Sequence, residues 1–236
     1  MSAASALPHP ALWRASQLAT RAGPCLGTGH GRLDAELPGG GWPAGALVEL
    51  LLAEPGVGEM RLLGPALARL PGDGPIALLQ PPCPPHIAAW AAWGLDPARL
   101  LWVRPGRPAD ALWAAEQILR HGSCAALLYW QAHARHAWLR RLHLAARASG
   151  MPFFMLRPAR EADAPSPAPL RLALSPAPGG VRVALIKRRG PVCVQPFVVP
   201  LEPGRGTRPA RLPHAPVDRP APALPEPGRL APALAG

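Results

Sequence analysis

The feature that most constrains this chain is an alternation of short apolar runs with amphipathic segments. An apolar run of strand length spans 46–52. Segment 59–70 follows, with Met60, Leu63, Leu67 and Leu70 at helical spacing and a Pro71-Gly72-Asp73-Gly74 stop. The pattern then repeats: strand 76–80 and helix 85–93, strand 100–104 and helix 109–121, strand 124–130 and helix 133–149, then strand 151–156. Gly122 and Gly150 stop the last two helices. Strands that alternate with helices need crossover connections. The expected fold is therefore α/β, with a mainly parallel central sheet flanked by helices.

After Arg157 the pattern changes. Residues 158–169 form a proline-rich loop. Segments 170–174 and 181–186 read as a late β-hairpin around Ser175-Pro176-Ala177-Pro178-Gly179-Gly180. Segment 192–199 adds an edge strand, because Pro196 cannot serve a central one. The 35 prolines thicken further beyond Pro200. Segment 201–236 has little apolar periodicity and is expected to be a disordered tail. A short amphipathic helix is expected over 11–20, and 21–31 reads as loop. The domain plan is an N-terminal helix and linker over 1–28, a core domain over 29–200 and the tail.

Hydrophobic residues make up 49% of the chain, enough for a packed core over much of its length. The formal charge of +11 permits contact with nucleic acid or with acidic proteins. Nearly all of it is arginine, and Lys187 is the only lysine. The cysteines Cys25, Cys83, Cys124 and Cys193 form no CxxC pair, which argues against zinc and against a disulfide framework. No apolar run reaches membrane-spanning length and no leader precedes the first motifs, so a cytoplasmic protein is expected. No Ser/His/Asp or Cys/His order suits a nucleophilic enzyme.

Residues 29–50 read GHGRLDAELPGGGWPAGALVEL. This stretch resembles the RecA family, in which a Leu-Asp pair, a glycine-rich turn and a Gly-x-x-x-Glu strand lead into the Walker A phosphate loop. Trp93-Gly94-Leu95-Asp96, Leu119-Arg120-His121-Gly122 and Ile186-Lys187-Arg188-Arg189 extend the likeness over about 29–199. A closer similarity is to the ImuA family, the RecA-like proteins of bacterial mutagenic translesion synthesis, sometimes labelled SulA-like. It rests on 37–43 with 45–51, on 111–117, and on Leu185-Ile186-Lys187-Arg188-Arg189-Gly190. The resemblance implies a RecA-like P-loop NTPase fold.

A working phosphate loop reads G-x-x-x-x-G-K-[ST], with lysine on the terminal phosphates and the hydroxyl on magnesium. The corresponding residues here run from Ala53 to Met60. Ala53 replaces the first glycine, Gly56 lies within the loop, and Gly58 keeps the second glycine. Glu59 stands in place of lysine and Met60 in place of the hydroxyl. A carboxylate about 4 Å from a phosphate charge is repelled by about 4 kcal/mol at an effective dielectric of 20. The resemblance also places a Walker B aspartate after strand 124–130, where Gln131 follows Trp130. It places a catalytic glutamate after 76–80, where Pro81-Pro82-Cys83 stands, and a sensor glutamine after the fourth strand, where Arg157-Pro158 stands. The expectation is a degenerate pseudo-ATPase, with no cofactor and no catalytic residue. The plainer alternative is that Gly56 and Gly58 only shape a tight turn, and the other is nucleotide binding retained with altered chemistry.

Two basic groups are candidates for contact with DNA or a protein: Lys187, Arg188 and Arg189 at the hairpin end, and Arg135, Arg140 and Arg141 on helix 133–149. That helix also carries His136, His143 and Arg147, with Trp138, Leu139, Leu142 and Ala146 expected toward the core. Solvated surface is the ordinary reading of both groups. Trp90, Trp93, Trp102 and Trp113 fit core positions, whereas Trp42 and Trp13 suit an interface. The resemblance implies a non-catalytic accessory role in damage-induced translesion DNA synthesis. Its implied partners are ImuB, an error-prone C-family polymerase and RecA. The alternatives are a SulA-like inhibitor acting on FtsZ and a DNA-dependent ATPase.

Overall fold

In the computed structural model, residues 23–190 and 195–201 are described. The expected helix over 11–20, Trp13, Cys193 and the tail beyond Leu201 lie outside them. The strands are β1 (Cys25–Leu26), β2 (Trp42–Pro43), β3 (Leu47–Leu52), β4 (Ile76–Leu79), β5 (Leu100–Val103), β6 (Ala126–Trp130), β7 (Phe153–Pro158), β8 (Leu170–Ala177), β9 (Gly180–Lys187) and β10 (Phe197–Pro200). The helices are α1 (Gly31–Glu36), α2 (Glu59–Leu67), α3 (Ile87–Ala92), α4 (Pro108–His121) and α5 (His136–Ser149).

An eight-stranded sheet runs β10-β9-β8-β3-β7-β6-β4-β5. The six strands from β8 to β5 are mutually parallel. β9 runs antiparallel to β8, and β10 antiparallel to β9. The expected mainly parallel α/β sheet with a late hairpin is therefore what forms. Alternation along the strands splits the core in two. Val48, Leu50, Phe154 and Leu156 face Leu62, Leu63 and Leu67 of α2 and Trp90 of α3. Leu47, Phe153, Met155 and Leu127 face Ala111 and Ala115 of α4 and Leu139 and Leu142 of α5. Strands covered on both faces must be apolar on both, which is why 46–52 shows no polar alternation.

Several boundaries differ from the sequence reading. The hairpin strands are longer and their loop is only Pro178-Gly179, with Gly179 at φ 70°. Pro176 is tolerated because β3 pairs with β8 only as far as Leu174, so no partner on that side needs its missing N–H. β10 is an edge strand, but it starts at Phe197, after Pro196, and residues 192–194 of the expected strand lie outside the described ones. α5 begins at His136 rather than at residue 133. The region before β3 holds structure that reads as loop in the sequence: α1, and a two-stranded ribbon of β1 with β2. The triple glycine belongs to this ribbon. A Cβ on Gly41 would collide with the backbone of Leu26, so only glycine lets the two segments meet.

One acidic residue lies inside the sheet. Glu49, fully buried on β3, accepts hydrogen bonds from Arg157 Nη1 of β7 at 2.9 Å and from Arg171 Nε of β8 at 2.6 Å. Arg157 Nη2 donates to Glu161 at 2.7 Å. Arg171 donates to the carbonyls of Glu161 and Ala162, both at 2.8 Å. β7 and β8 flank β3, so the 159–169 connection must cross over β3. It contains one short 3-10 turn, Ala159–Glu161, where a parallel crossover ordinarily carries an α-helix. The ionic network fastens this helix-free crossover to the strand beneath it.

Two predictions follow from this core. Glu49→Ala leaves two buried arginines facing each other. It should lower unfolding free energy by about 3–5 kcal/mol in urea titration, and a loss under about 1 kcal/mol would contradict the network's role. Tyr129, the only tyrosine of the chain, is fully buried, and burial pushes its phenol up to about 12. The unfolded phenol ionises near about pH 10, so stability from this group is complete below that pH and falls as pH rises toward the folded value. Absorbance titration of the folded protein should place the phenolate midpoint near 12. A midpoint near about 10 would mean the ring reaches water.

Candidate functional site

The turn between β3 and α2 lies at the carboxyl edge of the sheet. Ala53, its first residue, is exposed, and its N–H donates to Leu174 O of β8 at 2.9 Å. Gly56 and Gly58 have φ of 85° and 112°, and Gly58 caps α2. A side chain at Gly58 would be strained by that φ and would press on Leu201 Cδ1, 2.7 Å from an ideal Cβ. Glu59 opens α2 and is buried. Its carboxylate turns back into the loop: Gly56 N–H donates to Oε1 at 3.0 Å and Gly58 N–H donates to Oε2 at 3.1 Å.

This arrangement has a definite chemical meaning. Converging backbone N–H groups at a helix N-terminus form an anion cradle. Here the anion is the chain's own carboxylate, held by both oxygens. An incoming phosphate would have to displace Glu59 from two charge-assisted hydrogen bonds and would meet its charge on the way. Met60, half-buried, lines an adjoining cavity of about 240 Å³. Its other walls include Pro81, Pro82, Trp90, Trp93 and Trp130, so it is apolar rather than cationic.

β3, β7, β6 and β4 are consecutive and parallel, so their carboxyl ends share this edge. The four positions singled out in the sequence therefore lie along one edge. After β4 stands Gln80, at φ 52°, followed by Pro81. After β6, Gln131 donates its side-chain amide to His133 O at 2.7 Å. At the end of β7, Arg157 is buried in the Glu49 network. None of these three positions presents a carboxylate. Glu49 and Arg171 escaped the sequence reading as a charge centre, although a glutamate inside an apolar run was the available signal.

The basic candidates scatter. Arg141 pairs with Glu116 of α4 at 2.5 Å. Arg135 lies over the Trp138 ring at 5.6 Å, and that ring is half-buried rather than in the core. Arg140 is exposed. Arg188 pairs with Glu36 of α1, and Lys187 Nζ donates to Ser166 O at 2.9 Å. Arg189 is exposed and shares a cavity at the amino edge of the sheet with His143 and Arg147 of α5. That meeting, across more than forty intervening residues, was not visible in the sequence.

The tryptophans divide differently from expectation. Trp90 is buried, but Trp102 is 40% and Trp113 64% exposed. β5 is an edge strand and Trp113 sits on the outer side of α4, which frees both rings from the core. Trp42 is fully buried, edge-on to Phe154 at 5.5 Å, and is a core residue rather than an interface one.

Among the described residues, no group of three His, Cys, Asp or Glu side chains is placed to hold a metal ion. None of their helices is long and apolar enough to cross a membrane. No protein-family model matches the chain, and no curated protein matches it.

Proposed function

We propose that this chain is a non-catalytic, RecA-like accessory protein of the ImuA type, acting in error-prone translesion DNA synthesis. The observation that carries the reading is the Glu59 carboxylate seated on the Gly56 and Gly58 N–H groups. A loop occupied by its own anion favours a scaffold over a nucleotide switch. The mainly parallel sheet, and the placing of the four strand ends along one edge, support a RecA-like ancestry. The residues that resemble ImuA supply the pathway, with ImuB, an error-prone polymerase and RecA as the proposed partners. Arg140, Arg189 and the neighbouring basic groups are the proposed contacts to DNA or to those proteins.

The test has two arms. Purified protein should show no magnesium-dependent ATP hydrolysis, alone or with single-stranded DNA; turnover that disappears on changing Glu59 would overturn the pseudo-ATPase reading. Co-expressed with the ImuB-type protein of its own genome, it should co-purify as a stable complex. Failure to associate would remove the translesion assignment and leave the loop chemistry standing.

A further inference from the structure

The amino edge of the sheet holds a second cavity, of about 210 Å³. Its floor is apolar: Pro24, Pro38 and Pro43 of the β1–β2 region, with Leu170 at the start of β8. Its polar rim comes from two distant parts of the chain. His143 and Arg147 project from successive turns of α5, and Arg189 follows β9. Among the described residues, no carboxylate lines the cavity, and Arg147 and Arg189 make no ion pair. His143 is fixed as well as placed. Its Nδ1 accepts the Leu47 N–H at 3.2 Å, so in the neutral ring Nε2 carries the proton as a donor.

We infer that this cavity is a docking site for an acidic peptide segment of a partner protein, with one apolar side chain on the proline floor and its carboxylates on Arg147 and Arg189. Charge complementarity carries the choice. An apolar socket with a cationic rim suits an anchor residue flanked by acids. Single-stranded nucleic acid instead stacks on exposed Trp, Tyr or Phe rings, and none of these lines the cavity among the described residues. The chain's own ends are poor occupants. Residues 1–22 contain no carboxylate, and beyond Leu201 the arginines outnumber the carboxylates.

The environment of His143 supplies an independent readout. Burial lowers its pKa, and the nearby charges of Arg147, Arg189 and Lys187 lower it further. A carboxylate bound on those arginines offsets the cationic part of that shift and moves the ring's titration upward. The inference does not depend on the translesion assignment, since it concerns the chemistry of the ligand and not its pathway.

The test is a nuclear magnetic resonance titration of the full chain with acetyl-Glu-Leu-Leu-Glu-amide. The expected result is saturable shifts of the His143 ring and the Leu170 methyls, with Kd below about 1 mM. Arg189→Gln and Arg147→Gln should each weaken binding by about tenfold, as should exchanging the peptide's Glu residues for Gln. Arg160→Gln removes the same charge at the opposite edge of the sheet and should leave binding within about twofold. The His143 midpoint should rise on saturation. Equal loss in the Arg160 variant would reduce the effect to net charge and overturn the site. So would equal binding of the Gln peptide, or no shift at about 5 mM peptide. An oligothymidylate that moves these resonances when the peptide does not would replace the peptide by nucleic acid.

Discussion

The buried carboxylate of Glu49 is the constraint on which the centre of this molecule rests. A charge removed from water is tolerable only when its partners are fixed and themselves satisfied. Arg171 meets that requirement with all three of its nitrogens, and Arg157 with its two terminal ones, the second held by Glu161 on the crossover; Arg157 Nε is left without an acceptor among the described residues. Three strands and one connection are thereby held in a single arrangement. β3 is the strand that delivers the chain to Gly56 and Gly58, so the geometry of the turn inherits this rigidity.

The two edges of the sheet have taken opposite characters. At the carboxyl edge, Glu59 neutralises the anion cradle and prolines and tryptophans line the space beside it. At the amino edge, Arg147 and Arg189 leave positive charge beside His143, with no carboxylate among the described residues lining the cavity. A nucleotide-dependent protein of this architecture would place its chemistry at the first edge. In this chain two arginines without a described ion-pair partner, Arg147 and Arg189, line a cavity at the second.

The layered α/β architecture was legible because periodicity and glycine stops are local signals. The β3, β6 and β7 runs, and helices α4 and α5, stand within a few residues of where the sequence puts them. Long-range facts were not legible. Glu49 finds Arg157 and Arg171 more than a hundred positions away, and no spacing rule reaches that far. Trp42 and Trp113 exchanged roles for a similar reason. A tryptophan beside glycines looks exposed until the β1–β2 ribbon that carries it packs its ring against Phe154, and one on an apolar helix looks buried until the helix proves to have an uncovered side. The charge reversal at Glu59 was plain in the sequence, but only the fold shows the carboxylate turned back onto its own loop.

The central claim is that this carboxylate occupies the place an incoming anion would need. Amide resonances of Gly56 and Gly58, followed during titration with pyrophosphate, test it most directly. In the native chain they should stay fixed up to about 5 mM, and in Glu59→Gln they should shift saturably, because the repelling charge is gone while the fold is kept. Saturable movement of both resonances in the native chain would show the cradle open, and would contradict the account.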